Sequence, residues 1–437
     1  LGINGEGIGF YNRLAILVPN AIPGEGHQIE ITDVKEKMAF GKSLEIKKVS
    51  PSRVDAKCPY YEECGGCNTL HISYEKMLEF KKDILCEAIT RYTKLNPRSF
   101  EIRNTIPSDN QTGYRNRSQL QVKKYDDHFS VCMLKENSNH AVKINECLVQ
   151  KPLINELNLQ ILKLADELEI PPYLAKFNRG VLRYLVVRVN EANEALVCFI
   201  CAEKNNKIRE LAKKVIELPH VVSVYESFNA DKKSNSFFVE ESKLLEGKPY
   251  ITEKIGQLSY QIYPSTFFQL NTKQAEKMFN IILKNCKLSR KEVVLDAYCG
   301  VGAISLYLAK MASKVIGIEY SKESIEAAKE NAKINHIKNT EFLQGDVSKL
   351  LPKLLNETSI DCLVVDPPRT GLGKELIEQI ISAKIKRMIY VSCNVSTLAK
   401  DLNLLSEIYQ VNSITPIDMF PGTAHIESVC QLSLLEK

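Results

Sequence analysis

Three side chains near the carboxyl end of the chain sit where an α/β sheet does its chemistry. Asp366-Pro-Pro-Arg369-Thr-Gly371 follows one short apolar run, and Tyr390-Val-Ser-Cys393-Asn394 closes the next. The carboxyl ends of strands in an open α/β sheet border its ligand crevice, and two prolines fix the backbone that aims Asp366 into it. A thiol at a strand end, just ahead of a helix, is expected to have a lowered pKa and the thiolate character of a nucleophile. Further on, Asp418-Met-Phe-Pro421-Gly-Thr-Ala-His425-Ile-Glu427 leads into an apolar run over 428–435. His425 and Glu427 lie two apart, so an extended segment would turn both to one side, making Glu427 a candidate base.

A second constellation begins at Asp296-Ala-Tyr-Cys-Gly300-Val-Gly302, between a strand-like run and a helical one. Glycines there let the backbone approach a ligand beside a helix N-terminus. Position 305 is Ser, so the third glycine of the dinucleotide fingerprint is missing. Glu319 ends the next strand-like run, where a carboxylate can accept both ribose hydroxyls. Gly300, Gly302 and Glu319 without a pyrophosphate fingerprint suit S-adenosylmethionine better than NAD or FAD.

The third constellation is Cys58-Pro-Tyr-Tyr-Glu-Glu-Cys64-Gly-Gly-Cys67. Three thiols with a Gly-Gly turn between the last two suit a metal whose fourth ligand comes from elsewhere, with Cys86, Cys132 and Cys147 nearest. Spacing alone leaves zinc and an iron–sulfur cluster open.

The elements that must hold these residues follow from patterning. From about residue 260, short apolar runs at 293–296, 315–319, 341–343, 362–365 and 388–391 alternate with helical segments such as 322–335. This is the signature of a parallel sheet covered by helices on both faces. Residues 1–56 carry short alternating runs (14–18 and 28–32) around Pro23-Gly24, which predicts a small β-barrel or sheet. The chain begins at Leu1 rather than Met, so a first strand is expected to be missing. A helix is expected from Ser73, with Met77, Phe80, Ile84, Leu85, Ala88, Ile89 and Tyr92 on one face. Strands at 181–189 and 195–201 and helices at 153–168 and 207–217 make the middle α+β. The expected fold is thus multidomain α/β, divided at 1–56, 57–259 and 260–437.

Composition narrows the class. The 437 residues carry 58 Lys+Arg against 53 Asp+Glu, a net charge of +5, compatible with a polyanionic partner without requiring one. No run is apolar enough to span a bilayer, and no signal segment opens the chain. The 13 cysteines are an odd number. With no signal segment, they argue for a reducing cytoplasm and against a disulfide scaffold.

Taken together, these motifs resemble the RNA uracil-C5 methyltransferase family. The match lies in Asp366-Pro-Pro-Arg-x-Gly, in Ile389-Tyr-Val-Ser-Cys393-Asn-x-x-Thr397, in Asp-x-Phe-Pro through His425-Ile-Glu427, and in Phe267-Phe-Gln269-Leu-Asn271. Gly422 departs from the Gln, His or Tyr usual there. Gly5-Glu-Gly7 and Leu17-Val-Pro…Pro23-Gly-Glu25 are similar to the OB-like TRAM barrel, an RNA-binding module. Tyr114-Arg-Asn-Arg-Ser-Gln119 is similar to the family's middle domain, and Arg115 and Arg117 are candidate phosphate contacts.

The resemblance implies a Rossmann-like class I methyltransferase sheet and a defined chemistry. Uracil C5 is a poor nucleophile, and adding a thiolate to C6 makes an enolate with charge on C5. By similarity Cys393 is that thiolate. C5 then takes the methyl of S-adenosylmethionine, and Glu427 removes the C5 hydrogen so the thiol can leave. Gln269, Tyr298, Gly300, Gly302, Glu319 and Asp366 would hold the cofactor. The target base must be unstacked to enter. The resemblance also selects a [4Fe–4S] cluster on Cys58, Cys64, Cys67 and Cys147, with a role in folding or RNA recognition.

Family members with both the TRAM domain and the cluster act mainly on 23S rRNA, which is the expected partner, with no obligate protein partner and no membrane. The alternatives are a transfer RNA 5-methyluridine methyltransferase, a class I methyltransferase acting without a covalent intermediate, and a non-catalytic RNA-binding protein.

Overall fold

The computed structural model describes residues 1–232, 234 and 236–436. The chain opens with β1 (Gly7–Tyr11), β2 (Leu14–Val18), β3 (Gly26–Val34) and β4 (Met38–Lys48), which form a four-stranded sheet in the order β1-β2-β4-β3. The sheet is organised from the turn before β3. Both oxygens of Glu25 accept from Arg53 at 2.6 Å, while the N–H groups of Ile22 and Ser50 and the His27 ring complete the shell. Burial works against that charge but is outweighed by the Arg53, backbone and His27 donors, which hold the carboxyl at about 2.

Helix α1 (Tyr74–Tyr92) follows, with Ser73 at its N-cap, and then the short β5 (Glu101–Ile102). Every third or fourth residue of α1 is buried: Met77, Phe80, Ile84, Leu85, Ala88, Ile89 and, within the same stripe, Lys81. The middle of the chain contains β6 (Arg117–Tyr125), β7 (His128–Leu134), β8 (Ala141–Ile144), α2 (Pro152–Glu167), β9 (Leu182–Val189), β10 (Ala195–Cys201), α3 (Lys207–Val215), β11 (Val221–Phe228) and β12 (Lys243–Gly247). Its strands form a seven-stranded sheet, β12-β11-β10-β9-β6-β7-β8. One face, with Leu120, Leu185 and Val197, packs on α2 and α3. On the other, Val186, Cys198 and Tyr225 join the core of the C-terminal body.

The C-terminal body adds the hairpin β13 (Ile251–Ile255) and β14 (Leu258–Ile262), then α4 (Thr272–Cys286). Strands and helices then alternate: β15 (Val293–Ala297), α5 (Ala303–Ala309), β16 (Lys314–Glu319), α6 (Lys322–Ile334), β17 (Thr340–Gln344), α7 (Val347–Glu357), β18 (Cys362–Val365), α8 (Lys374–Ala383), β19 (Arg387–Ser392), α9 (Val395–Leu405), β20 (Tyr409–Ile417) and β21 (Glu427–Leu434). The sheet order is β17-β16-β15-β18-β19-β21-β20-β5. Strands β15 to β19 are parallel, and β21 runs antiparallel between β19 and β20. The order reverses between β15 and β18, the switch point at which such sheets bind ligands.

Two findings adjust the sequence reading. The four N-terminal strands form a sheet, one of the two forms that patterning left open, where the resemblance implied an OB-like barrel. Helix α1 and β5, which fall in the middle stretch by sequence, pack with the C-terminal body: β5 extends its sheet beside β20, and α1 lies on α9. No helix among the described residues is long and apolar enough to cross a membrane.

Candidate active site

Strand register builds the site. In the parallel pair β15–β18, Ala297 stands beside Val365, so Tyr298 and Asp366 leave the sheet side by side at the switch point. In the antiparallel pair β19–β21, Ser392 pairs with Ser428, so the next residues, Cys393 and Glu427, emerge opposite each other. The thiol, the candidate base and the two cofactor candidates therefore share one sheet edge.

The sequence motifs are also bonded to each other. Asn394 caps α9 by accepting from the N–H groups of Ser396 and Thr397, and its amide donates to the Arg369 carbonyl at 3.1 Å. The Thr397 hydroxyl donates to the same carbonyl at 3.3 Å. Gly371 has φ +82°, and a Cβ there would lie 2.6 Å from an Asp401 oxygen, one that already accepts from Leu372 N–H and the Tyr390 hydroxyl.

The glycine loop folds as its composition predicts. Gly300 and Gly302 have φ of +53° and +79°. A Cβ at Gly300 would meet open space, while one at Gly302 would press on Phe342 and Ala328. The first glycine thus leaves room for a ligand, and the second lets α5 start close to the sheet. Tyr298 takes φ +66°, a strained conformation for a non-glycine residue. Glu319 accepts from Gly300 N–H at 3.2 Å and Ser321 N–H at 2.8 Å, which turns it toward the loop. Gln269 lies between β14 and α4, with its carbonyl held by the Asn116 amide at 2.9 Å. The Asn271 amide donates to the Met419 carbonyl at 3.1 Å, joining this segment to the one that leads to Glu427.

Electrostatically the edge is acidic and poorly solvated. Burial raises Asp296 and Asp366 each to about 7. Burial, reinforced by the charge of Asp366, raises Glu427 well above the carboxylate range, and Arg369 opposes this. The lowered pKa expected for Cys393 is not found: burial first, then Glu427 and Asp366, push the thiol up to about 11, with Arg369 again opposing. The helix N-terminus behind the thiol is outweighed by burial, with two acidic neighbours adding to it. His425 and Glu427 differ in burial, the former exposed and the latter 7% exposed, because the strand begins only at Glu427. The Arg369 guanidinium nevertheless faces both, 3.3 Å from His425 Nδ1.

The turn before Glu427 is held from outside the sheet. The carbonyl of Gly422 accepts from the N–H groups of Asn68 and Thr69 at 3.1 Å each, Ala424 N–H donates to Asn68 Oδ1, and the Tyr114 hydroxyl donates to the Pro421 carbonyl. The Gly422 departure is absorbed by the backbone, since φ is +81° and a Cβ would lie 2.8 Å from Leu70. Asn68 follows Cys67, so the cysteine loop and the turn of the candidate base form one hydrogen-bonded unit.

The cysteine region does not form a finished metal geometry. Among the described residues, no three His, Cys, Asp or Glu side chains stand close enough to ligate one ion. The four thiols are near neighbours all the same: burial raises Cys64 and Cys67, and Cys58 and Cys147 add to both shifts by charge. Cys86 and Cys132 contribute to neither. Asn155 brackets Cys147 through its N–H and carbonyl. Gly65 is required by close approach rather than by a left-handed turn, since a Cβ would lie 2.7 Å from the Glu136 nitrogen. The four thiols, all partly buried and drawn from two segments, are soft donors of the kind a metal cluster takes.

Lys81, Arg369 and Asn116 act on this site and were missed in the sequence. Lys81 was visible as a lysine inside an apolar stripe, and Arg369 as part of the Pro-Pro-Arg motif; Asn116 gave no signal of its own.

The tRNA (Uracil-5-)-methyltransferase family model matches residues 73–435. An uncharacterized RNA methyltransferase of Halalkalibacterium halodurans is 40% identical over 441 residues, covering 100% of this chain and 95% of its own length. One of Enterococcus faecalis is 39% identical, covering 99% and 96%. The crystal structure of Pyrococcus abyssi tRNA (uracil-54, C5)-methyltransferase in complex with S-adenosyl-L-homocysteine superposes with a TM-score of 0.77 at 30% identity, covering 98% of each chain. With the thiol, the carboxyl and the glycine loop on one edge, the chain belongs to the tRNA (uracil-5-)-methyltransferase family, enzymes that use S-adenosylmethionine to methylate uracil C5 in RNA.

Proposed function

We propose that this chain methylates C5 of a uridine in 23S rRNA through a covalent bond from Cys393 to C6, with Glu427 taking the C5 proton. The observation that carries the chemistry is the β19–β21 register, which brings Cys393 and Glu427 out of the sheet opposite each other. Sulfur addition to C6 puts charge on C5, and the cofactor supplies the methyl group. The saturated C5 then holds both a hydrogen and a methyl. Glu427 as carboxylate takes the hydrogen, and the C6–S bond breaks to restore the ring. A poorly solvated carboxylate holds a proton strongly, which suits a base for a carbon acid. Arg369 is the countercharge that favours both thiolate and carboxylate.

In the same reading, Glu319 accepts the ribose hydroxyls, Gly300 and Gly302 admit the cofactor backbone-close, and Gln269, Tyr298 and Asp366 close its remaining sides. The acidic edge suits a sulfonium cation. Cys58, Cys64, Cys67 and Cys147 would hold a [4Fe–4S] cluster that stiffens the loop bonded to the 421–424 turn, since methyl transfer moves no electrons between metal and substrate. Residues 1–56 would serve as a TRAM-like RNA-binding module, 57–259 as the cluster-bearing middle domain and 260–437 as the methyltransferase domain.

Transfer RNA is the second reading, favoured by one observation: the Pyrococcus abyssi enzyme, named for tRNA, matches this chain over 98% of both lengths. Methylation of unmodified 23S rRNA and tRNA transcripts, followed by mapping of 5-methyluridine, separates the two. Product in 23S rRNA is expected; product confined to tRNA overturns the rRNA assignment.

A further inference from the structure

Glu319, Asp366 and Glu427 gather at the crevice, which therefore suits one uncharged base better than the phosphates around it. The cations that receive those phosphates must lie elsewhere. A groove of about 980 Å³ runs over the part of the seven-stranded sheet that the C-terminal body leaves uncovered. Its floor is the face of β6 on which Gln119, Gln121 and Lys123 alternate. Its far wall is the 172–177 segment, where Leu174 and Phe177 are 50% and 64% exposed.

Its chemistry is one-sided. Among the described residues that line it there are five lysines and arginines and no Asp or Glu. Lys124 is turned away to Asp166, but Lys123 and Lys176 have no acidic partner within 4 Å among the described residues. Arg183 is a pillar of the wall: its guanidinium lies 5.0 Å from the rings of both Tyr173 and Tyr184 and is anchored by the carbonyls of Asn229 and Asp231. It thereby orients two aromatic rings in a lining that also includes the exposed Phe177.

The strand that floors the groove is also tied to the crevice. At the start of β6, Asn116 N–H donates to the Leu270 carbonyl and its amide to that of Gln269, so the strand that floors the groove begins at the cofactor segment. A cationic track with ordered aromatic rings is what a single strand of nucleic acid takes, phosphates on the lysines and bases on the rings. We propose that this groove binds a single-stranded stretch of the substrate RNA flanking the target uridine, with a base stacked on Phe177 and phosphates on Lys123 and Lys176. The inference rests on the RNA methyltransferase reading above and adds where the RNA outside the crevice is gripped.

The test is filter binding of unmodified total RNA from cells lacking the protein, a readout independent of methyl transfer, using wild type, Phe177→Ala and the double variant Lys123→Ala/Lys176→Ala. These side chains are at the surface, and folding is checked by S-adenosylhomocysteine affinity. Phe177→Ala is expected to weaken RNA binding roughly tenfold. Losing two phosphate contacts should lower the slope of log affinity against log salt by about 1.4. Variants that bind with wild-type affinity and slope overturn the groove while leaving the methyltransferase reading intact. A wild type that binds none of this RNA overturns both.

Discussion

Lys81 and Asp418 form an ion pair of 2.5 Å in which neither side chain is more than 1% exposed. The ammonium also donates to the His425 carbonyl at 2.8 Å, and Asp418 accepts from the Tyr74 hydroxyl at 2.8 Å. Burial drives the Lys81 pKa down, and the carboxylate opposes it. One lysine of α1 thus fixes both ends of the segment that leads to Glu427.

Lys81→Met leaves Asp418 buried without its partner, and removing half of a buried pair costs about 3 to 5 kcal/mol. Urea unfolding should show that loss, and adding Asp418→Asn should recover part of it. If the pair positions Glu427, the single variant also accumulates a covalent RNA adduct, because the step that releases the thiol is the one impaired. Slower turnover with no adduct would reduce Lys81 to a folding role.

Much of this frame was legible in the sequence. Alternating short apolar runs and helical segments gave the C-terminal sheet, since buried parallel strands leave an uninterrupted apolar signature; the strand at 362–365 has the bounds read from sequence. The strand at 195–201 does as well. What was not legible depends on partners distant in sequence. Local helix geometry favoured a low pKa for Cys393, but burial in the assembled fold, and then charges arriving from the ends of β18 and β21, raise it. The Lys81 ion pair spans 337 positions. Joining of α1 and β5 to the C-terminal body rests on contacts that no local periodicity encodes.

The thiol makes a pH prediction. Because burial, Glu427 and Asp366 favour the neutral form, Cys393 in the resting enzyme ionises near 11. Its alkylation by iodoacetamide should rise about tenfold per pH unit from 7 to 10. Glu427→Gln removes one of the opposing charges and shifts the profile to lower pH, whereas Arg369→Met removes the favourable one and shifts it higher. A plateau below pH 9 in wild type would contradict this electrostatic account.

Glu25 predicts the acid limit of the N-terminal sheet. Its folded pKa is about 2, below the ordinary carboxylate value of about 4.3. The stabilisation it gives is therefore complete above that ordinary value and is lost as pH falls toward 2. Glu25→Gln should destabilise the sheet near neutrality by about 2 kcal/mol and flatten its pH dependence between 4.5 and 2. Hydrogen exchange of the β3 and β4 amides reads both effects, and an unchanged pH dependence would count against the assigned shell.

The cysteine loop predicts a coupling between metal and turn. Anaerobically purified protein should carry iron and sulfide with visible absorption, and Cys67→Ser should lose both. Because Asn68 and Thr69 hold the Gly422 carbonyl, the same variant should increase hydrogen exchange over residues 421–425. A colourless, zinc-loaded protein of full activity would overturn the cluster assignment.

The most direct measurement uses substrate RNA with 5-fluorouridine at the target, incubated with S-adenosylmethionine and run on a denaturing gel. Fluorine cannot leave C5 as a proton does, so wild type should form a stable protein–RNA band, Cys393→Ala none, and Glu427→Gln a band even with natural RNA. A wild type that methylates natural uridine yet traps no fluorinated RNA, or a Cys393→Ala variant that still transfers methyl, would contradict the covalent mechanism.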